Sequence, residues 1–205
     1  MKRTLIVMVK EPRPGRVKTR LGRDIGVIPA TWWFRHQSAR LLRTLRDPRW
    51  QTLLAVAPDR AVASRVWPAD LPRLPQGNGD LGARMKRMLR SVGNGPVCLI
   101  GADIPGIRPA HIARAFAALG SHDAVFGPAA DGGYWLVGAK HPARLPQGLF
   151  SDVRWSSEHA LTDTLATLPG WRIARVDTLR DVDTVADLPR HSSASFHHDA
   201  APSPC

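Results

Sequence analysis

The chain has little cysteine, no long apolar run and few acids, and each shortage removes a class of protein. Of its two cysteines, Cys98 lies inside an apolar stretch and Cys205 is the last residue. That pattern does not suggest a secreted disulfide framework, and Cys98 reads as a small core hydrophobe rather than a nucleophile. No window approaches the roughly 18 to 20 apolar residues that a membrane span requires. Met1-Lys2-Arg3 followed by Thr4 to Val9 mimics a signal peptide only faintly. Its apolar core is too short and no small-residue cleavage site follows, so the expected location is the cytoplasm. No internal repeat is visible.

Acidic residues number 17 against 29 basic ones, leaving a net charge of +12, and 24 of the basic residues are arginine. Such an excess invites a nucleic-acid reading. The chain has no zinc-finger spacing, no aromatic-rich single-strand motif and no recognition helix, so nucleic acid is not the expected principal partner. Small anionic ligands would also select cations, but locally, and the basic residues do cluster locally.

With 205 residues and a hydrophobic fraction of 43%, the chain is large enough for one domain with its own core. Val97-Cys98-Leu99-Ile100 is a continuous apolar run closed by Gly101, which suits a strand buried on both faces. Thr4–Val9, Thr52–Ala57, Ala124–Phe126, Tyr134–Val137 and Arg172–Val176 read as further strands. Helices are expected over Ala30–Leu45, Arg60–Val66, about Asp80–Leu89, Ala110–Leu119 and Ser157–Leu168, with a short one from Thr184 to Leu188. Lys10–Arg23 is expected to be a loop, and Pro68–Pro75 an extended path. Alternating strands and helices predict a three-layer α/β sandwich on a mainly parallel, mixed sheet. From Pro189 onward the composition turns to Ser, His, Ala and Pro. The expected organisation is therefore a domain over 1–189 and a disordered tail over 190–205.

Five stretches carry chemistry. The loop Lys10–Arg23 holds Lys10, Arg13, Arg16, Lys18, Arg20 and Arg23 against the single acid Glu11. Crowded cations repel one another, arginine grips phosphate bidentately, and Gly15 lets the backbone approach a ligand. The spacing is not that of a Walker loop, because Val17 rather than glycine precedes Lys18-Thr19; a plain solvated basic loop is the other reading. Asp103 follows the central strand, at the sheet edge where ligands bind in open α/β folds. Asp181 and Asp183, two residues apart, would project from the same side of an extended segment. With Asp103 they could hold one hard cation at about 2.1 Å if it is magnesium, or else these aspartates serve as turn and cap residues. Gln76-Gly77-Asn78-Gly79-Asp80 offers amide and backbone groups to a nucleobase edge, or forms a turn and cap. Asp131-Gly132-Gly133 lies beside a ligand, or forms a hairpin turn.

In this order the motifs resemble the nucleotide-diphospho-sugar transferases of GT-A type. More closely they resemble the bacterial family called radical-SAM/selenodomain-associated transferase 1, or simply glycosyltransferase, which began as a domain of unknown function. The matching residues are Lys10-Glu11-Pro12, Pro14–Leu21, Gln76-Gly77, Gly79–Gly82, Arg84-Met85, Gly101–Pro105, Gly127–Ala129, Asp131–Tyr134, Asp181–Thr184 and Asp187-Leu188. The resemblance implies a GT-A Rossmann-like fold, with molybdenum-cofactor and phospholactate guanylyltransferases as distant cousins. It implies a metal-dependent transferase taking a nucleotide sugar or an NTP, with an acceptor it does not name. Nucleotide binding would fall to Lys10, Gly15, Arg16, Lys18, Arg20, Gln76, Gly77, Asp80 and Arg84. Asp103, with Asp181 and Asp183, would hold magnesium or manganese. Lys18 and Asp103 would act at the reacting phosphates, with Asp131 orienting the acceptor. Asp103 lacks the Asp-x-Asp partner of many glycosyltransferases, so sugar transfer and nucleotidyl transfer both stay open. A non-catalytic nucleotide sensor and a basic nucleic-acid binder are the competing classes.

Overall fold

The computed structural model describes residues 2–93, 95–180, 182, 184 and 187. Seven strands form one sheet: β1 Thr4–Lys10, β2 Gln51–Ala57, β3 Arg73–Pro75, β4 Val97–Gly101, β5 Ala124–Pro128, β6 Tyr134–Ala139 and β7 Ile173–Arg175. Their order across the sheet is β3-β2-β1-β4-β6-β5-β7. All pairings are parallel except those of β6, which runs against both β4 and β5. The helices are α1 Thr19–Ile25, α2 Val27–Thr44, α3 Leu81–Arg90, α4 Pro109–Ala118 and α5 Ala160–Ala166.

The apolar runs of β1 and β4 are continuous because both sheet faces are covered. Leu5, Val7 and Val9 of β1, with Cys98 and Ile100 of β4, enter one core with Leu41 and Leu42 of α2 and Ile112 and Phe116 of α4. Ile6, Val97 and Leu99 point the other way, into a second core with Met85, Met88 and Leu89 of α3 and Leu168 beyond α5. This is the three-layer arrangement that alternating strands and helices predict.

Five elements differ from the sequence reading. The basic stretch Lys10–Arg23 is not all loop, since α1 starts at Thr19, past the last proline, and seats fully buried Leu21 against the core. Helix α2 begins at Val27 rather than Ala30, which puts Pro29 in the first turn, where its missing N–H costs nothing. The path from Pro68 to Pro75 ends in β3, a three-residue strand paired only with β2, and an edge strand tolerates its proline. The Arg73 guanidinium holds the connection leading to β3 by donating to the carbonyls of Val62, Ser64, Trp67 and Pro68. The helix expected over Arg60–Val66 is a 3-10 turn, Asp59–Ala63, and the one expected over Ser157–Leu168 is the shorter α5, Ala160–Ala166. The tail over 190–205 and most of the short helix expected before it lie outside the described residues.

The antiparallel strand β6 fits between β4 and β5 because Gly138 carries no side chain. A Cβ there would lie 2.7 Å from Val125 Cγ1 and 2.9 Å from both Cys98 Sγ and the Val97 carbonyl oxygen. Gly138→Ala should therefore lower stability by about 1–3 kcal/mol through overpacking. Urea unfolding measures the loss, and unchanged stability would show that the sheet relaxes around the methyl group.

Candidate functional site

β1 and β4 are neighbours, and from β1 the chain crosses to β2 on one flank of the pair while from β4 it crosses to β5 on the other. A crevice opens outside the carboxyl ends of such a strand pair, where loops diverge and backbone groups lack partners. Here it is a cleft of about 550 Å³ between the loop after β1 and the end of β4, with Gln76, Arg84 and Tyr134 also in its walls.

At its floor Lys18 Nζ donates to Asp103 Oδ2 at 3.0 Å, with the Lys18 side chain 6% exposed and that of Asp103 39% exposed. Lys18 precedes α1 in the left-handed conformation, at φ 45° and ψ 50°. That conformation is unfavourable for a residue with a side chain, and it occurs where the surroundings force it. Lys10, Arg16 and Arg20 line the same cleft. Glu11 is held by Arg13, whose Nε lies 2.6 Å from Glu11 Oε2, so the loop's one acid faces its own arginine.

A second lobe of about 680 Å³ adjoins the cleft, sharing Lys10, Arg16, Ala57 and Arg84 with it. Its further walls are the turn after β2, with Asp59 and Arg60, and the turn Gly77-Asn78-Gly79. Asp59 Oδ1 accepts from the Gly77 N–H at 2.9 Å and ties these two turns together.

Several predicted ligand residues make architectural contacts. The buried Gln76 amide donates to the carbonyls of Val9 and Ala55 at 3.1 and 2.8 Å, so its NH₂ pins β1 to β2. Its Oε1 accepts from Arg84 Nη1 at 3.2 Å, which holds the Arg84 guanidinium at the cleft wall. Asp80 is the N-cap of α3, accepting from Ala83 N–H at 2.7 Å. Gly15 supplies a positive φ in the β1 loop, away from the cleft walls. Asp131 also stands apart from them. It accepts from the Gly133 N–H at 3.0 Å within the β5–β6 hairpin connection.

Two cleft residues carried no assigned role in the sequence. Tyr134, the chain's one tyrosine, follows the glycine turn, and burial pushes its phenol pKa up, which keeps it protonated. Asp59 is a carboxylate just past a strand end, the same signal that singled out Asp103.

For a metal ion, Asp103 is the described candidate ligand, whereas Asp181 and Asp183 lie outside the described residues. No group of three His, Cys, Asp or Glu able to hold a cation occurs among the described residues. A half-exposed carboxylate in a cationic cleft still fits a cation of the magnesium type, which is held by one or two carboxylates together with substrate phosphates. Gly101 leaves room for it, since a Cβ there would lie 2.9 Å from Asp103 Oδ1.

Residues 40–157, more than half of the chain, match the family DUF2064, described as an uncharacterized protein conserved in bacteria. The chain belongs to DUF2064. Comparison with curated proteins found no match. Among solved structures, this DUF2064 protein resembles one from Desulfovibrio desulfuricans G20, provisionally described as a nucleotide-diphospho-sugar transferase. The two are 26% identical with a TM-score of 0.80, over 97% of this chain and 91% of the other. It shares its fold with Rv0371c of Mycobacterium tuberculosis H37Rv, solved as a complex with manganese, at 15% identity and a TM-score of 0.53, covering 91% and 96% of the two chains. The CMP:2-keto-3-deoxy-manno-octonic acid synthetase complexed with CTP has 13% identity and a TM-score of 0.55, covering 91% and 95%. The DUF2064 chain thus has the mixed, mostly parallel sheet of the GT-A-like nucleotide transferases. Among its described residues no helix is long and apolar enough to cross a membrane.

Gln76→Leu leaves two strand carbonyls without their amide donor and should cost about 1–3 kcal/mol per stranded group. Chemical denaturation tests this, and a loss near zero would mean that water replaces the amide.

Proposed function

We propose that this DUF2064 protein is a metal-dependent transferase acting on a nucleotide-activated donor, either a nucleotide sugar or an NTP. The observation that carries this reading is the Lys18–Asp103 pair at the floor of a basic cleft, at the junction of β1 and β4. The likeness to a nucleotide-diphospho-sugar transferase and to a CTP-bound synthetase supports it.

The donor's phosphates would lie along Lys10, Arg16, Lys18 and Arg20, whose charges offset those of the phosphate oxygens. The nucleoside would extend into the second lobe between Lys10, Asp59 and Gly77. Arg84, held by Gln76, stands where the two lobes meet and would contact the phosphates from the opposite wall. Magnesium or manganese, held by Asp103 and the phosphates, would supply charge neutralisation at the leaving oxygen. Lys18 would hold Asp103 in place while the cleft is empty and turn its ammonium toward the phosphates once the donor is bound. Tyr134, protonated and set among apolar neighbours, would limit water at the reacting bond. Positioning of donor and acceptor in line would supply much of the rate. Glycosyl transfer releases a nucleoside diphosphate and nucleotidyl transfer releases pyrophosphate, so product analysis separates the two chemistries. Nucleotide binding with neither product would identify a sensor.

Titration calorimetry with NTPs and nucleotide sugars in the presence of magnesium or manganese should show binding to the wild type. Asp103→Asn, which keeps an acceptor for Lys18, should abolish the metal dependence of that binding. Lys18→Ala should weaken triphosphate binding about tenfold to a hundredfold, the effect of one hydrogen bond to a charged group, and leave nucleoside binding nearly unchanged. Absence of nucleotide binding at millimolar concentration with metal present would overturn the reading.

A further inference from the structure

Three of the four large hydrophobic side chains that stand exposed among the described residues fall in one six-residue window: Val27 at 48%, Ile28 at 52% and Trp32 at 57%. Single exposed apolar residues are ordinary; three grouped at one corner are not. The corner is where α1 ends, the chain turns through Gly26 at φ 92°, and α2 begins. Helix α2 buries Ala30, Phe34 and Leu41 on its inner face. Its outward stripe at four-residue spacing is Ile28, Trp32, His36 and Arg40, all exposed. An outward stripe should be polar throughout, and here its first two turns are apolar. The rings of Trp32 and His36 stack at 5.2 Å, which holds the indole against the helix surface.

The surroundings are net cationic. Arg23 in the last turn of α1 and Arg35 and Arg40 on α2 are exposed around the apolar group, against one exposed acid, Asp24. We infer that this α1–α2 corner is a docking surface for an anionic lipid bilayer. Trp32, Ile28 and Val27 enter the interfacial region, and Arg23, Arg35 and Arg40 pair with acidic headgroups. Charge decides among the occupants. A second copy would bring the same cationic rim against this one, on a chain of net charge +12. Nucleic acid would satisfy the arginines but offers no apolar volume for the aliphatic Val27 and Ile28. A bilayer with acidic lipids supplies both. The corner lies one short helix from Lys18, since seven residues of α1 span about 10 Å, so docking holds the cleft close to the membrane surface.

The test is co-sedimentation of the full chain with vesicles of phosphatidylcholine alone and of phosphatidylcholine mixed with phosphatidylglycerol, at low and high salt. The wild type should bind the mixed vesicles, less so at high salt, and bind the neutral ones weakly. Ile28→Ser combined with Trp32→Ser should reduce partitioning about tenfold or more at an unchanged melting temperature. Arg23→Glu combined with Arg35→Glu, which leaves the apolar group intact, should do the same. Nucleotide binding should survive in both variants. Failure of the wild type to bind mixed vesicles, or equal binding by the Ile28/Trp32 variant, overturns the proposal. So does a concentration-dependent dimer that the variant dissolves, or oligonucleotide binding that the variant loses while vesicle binding persists.

Discussion

The Lys18–Asp103 ion pair joins the two loops on which the site depends. Lys18 follows β1, Asp103 follows β4, and the strands are locked in register from Thr4 opposite Val97 to Met8 opposite Gly101. An ammonium group as buried as that of Lys18 is tolerable only with a counter-charge and hydrogen-bond acceptors. Asp103, half-exposed, is one such acceptor, and its exposure leaves it open to a ligand as well. The left-handed backbone at Lys18 costs on the order of 1 kcal/mol, and it turns the chain from the basic loop directly into α1.

Much of the positive charge that dominates the composition is not at this site. Arg114 grips Asp177 with two hydrogen bonds, and Arg154 and Arg49 do the same to Asp163 and Asp47, holding both carboxyls down to about 2. Arg73 and Arg87 bind backbone carbonyls along the turns on either side of β3. Exposed pairs of this kind contribute little each. Lys10, Arg16 and Arg20 of the cleft loop form a separate, local concentration of charge beside the strand ends. The net charge therefore reports two things, an arginine-rich scaffold and a local cluster of cations at the cleft.

The sequence made the architecture legible where physical constraints are strong. Short apolar runs bounded by turn residues, such as Val97–Ile100, suit strands covered on both faces, and Asp80 before an amphipathic stretch could be read as a cap. It hid β3, three residues with a proline, because an edge strand needs no apolar period. It hid α1 because fully buried Leu21 is the main apolar anchor in a run of cations. For the site, Lys18 and Asp103 were readable from charge and strand position. The amides of Gln76 and the carboxylate of Asp131 were not, because their partners are backbone groups, Val9 and Ala55 far off in sequence and Gly133 nearby. Asp59 and Tyr134 reach the cleft and its second lobe only through the sheet order, which no local pattern encodes.

The central claim is that Asp103 and the β1 loop together form one nucleotide–metal site. A crystal structure of the protein grown with an NTP and manganese tests it most directly, through the anomalous signal of the metal. The account predicts a manganese peak bonded to Asp103 and to phosphate oxygens, with those phosphates against Lys18 and Arg16. Manganese and nucleotide bound away from Asp103, or a nucleotide whose phosphates avoid the β1 loop, would contradict it.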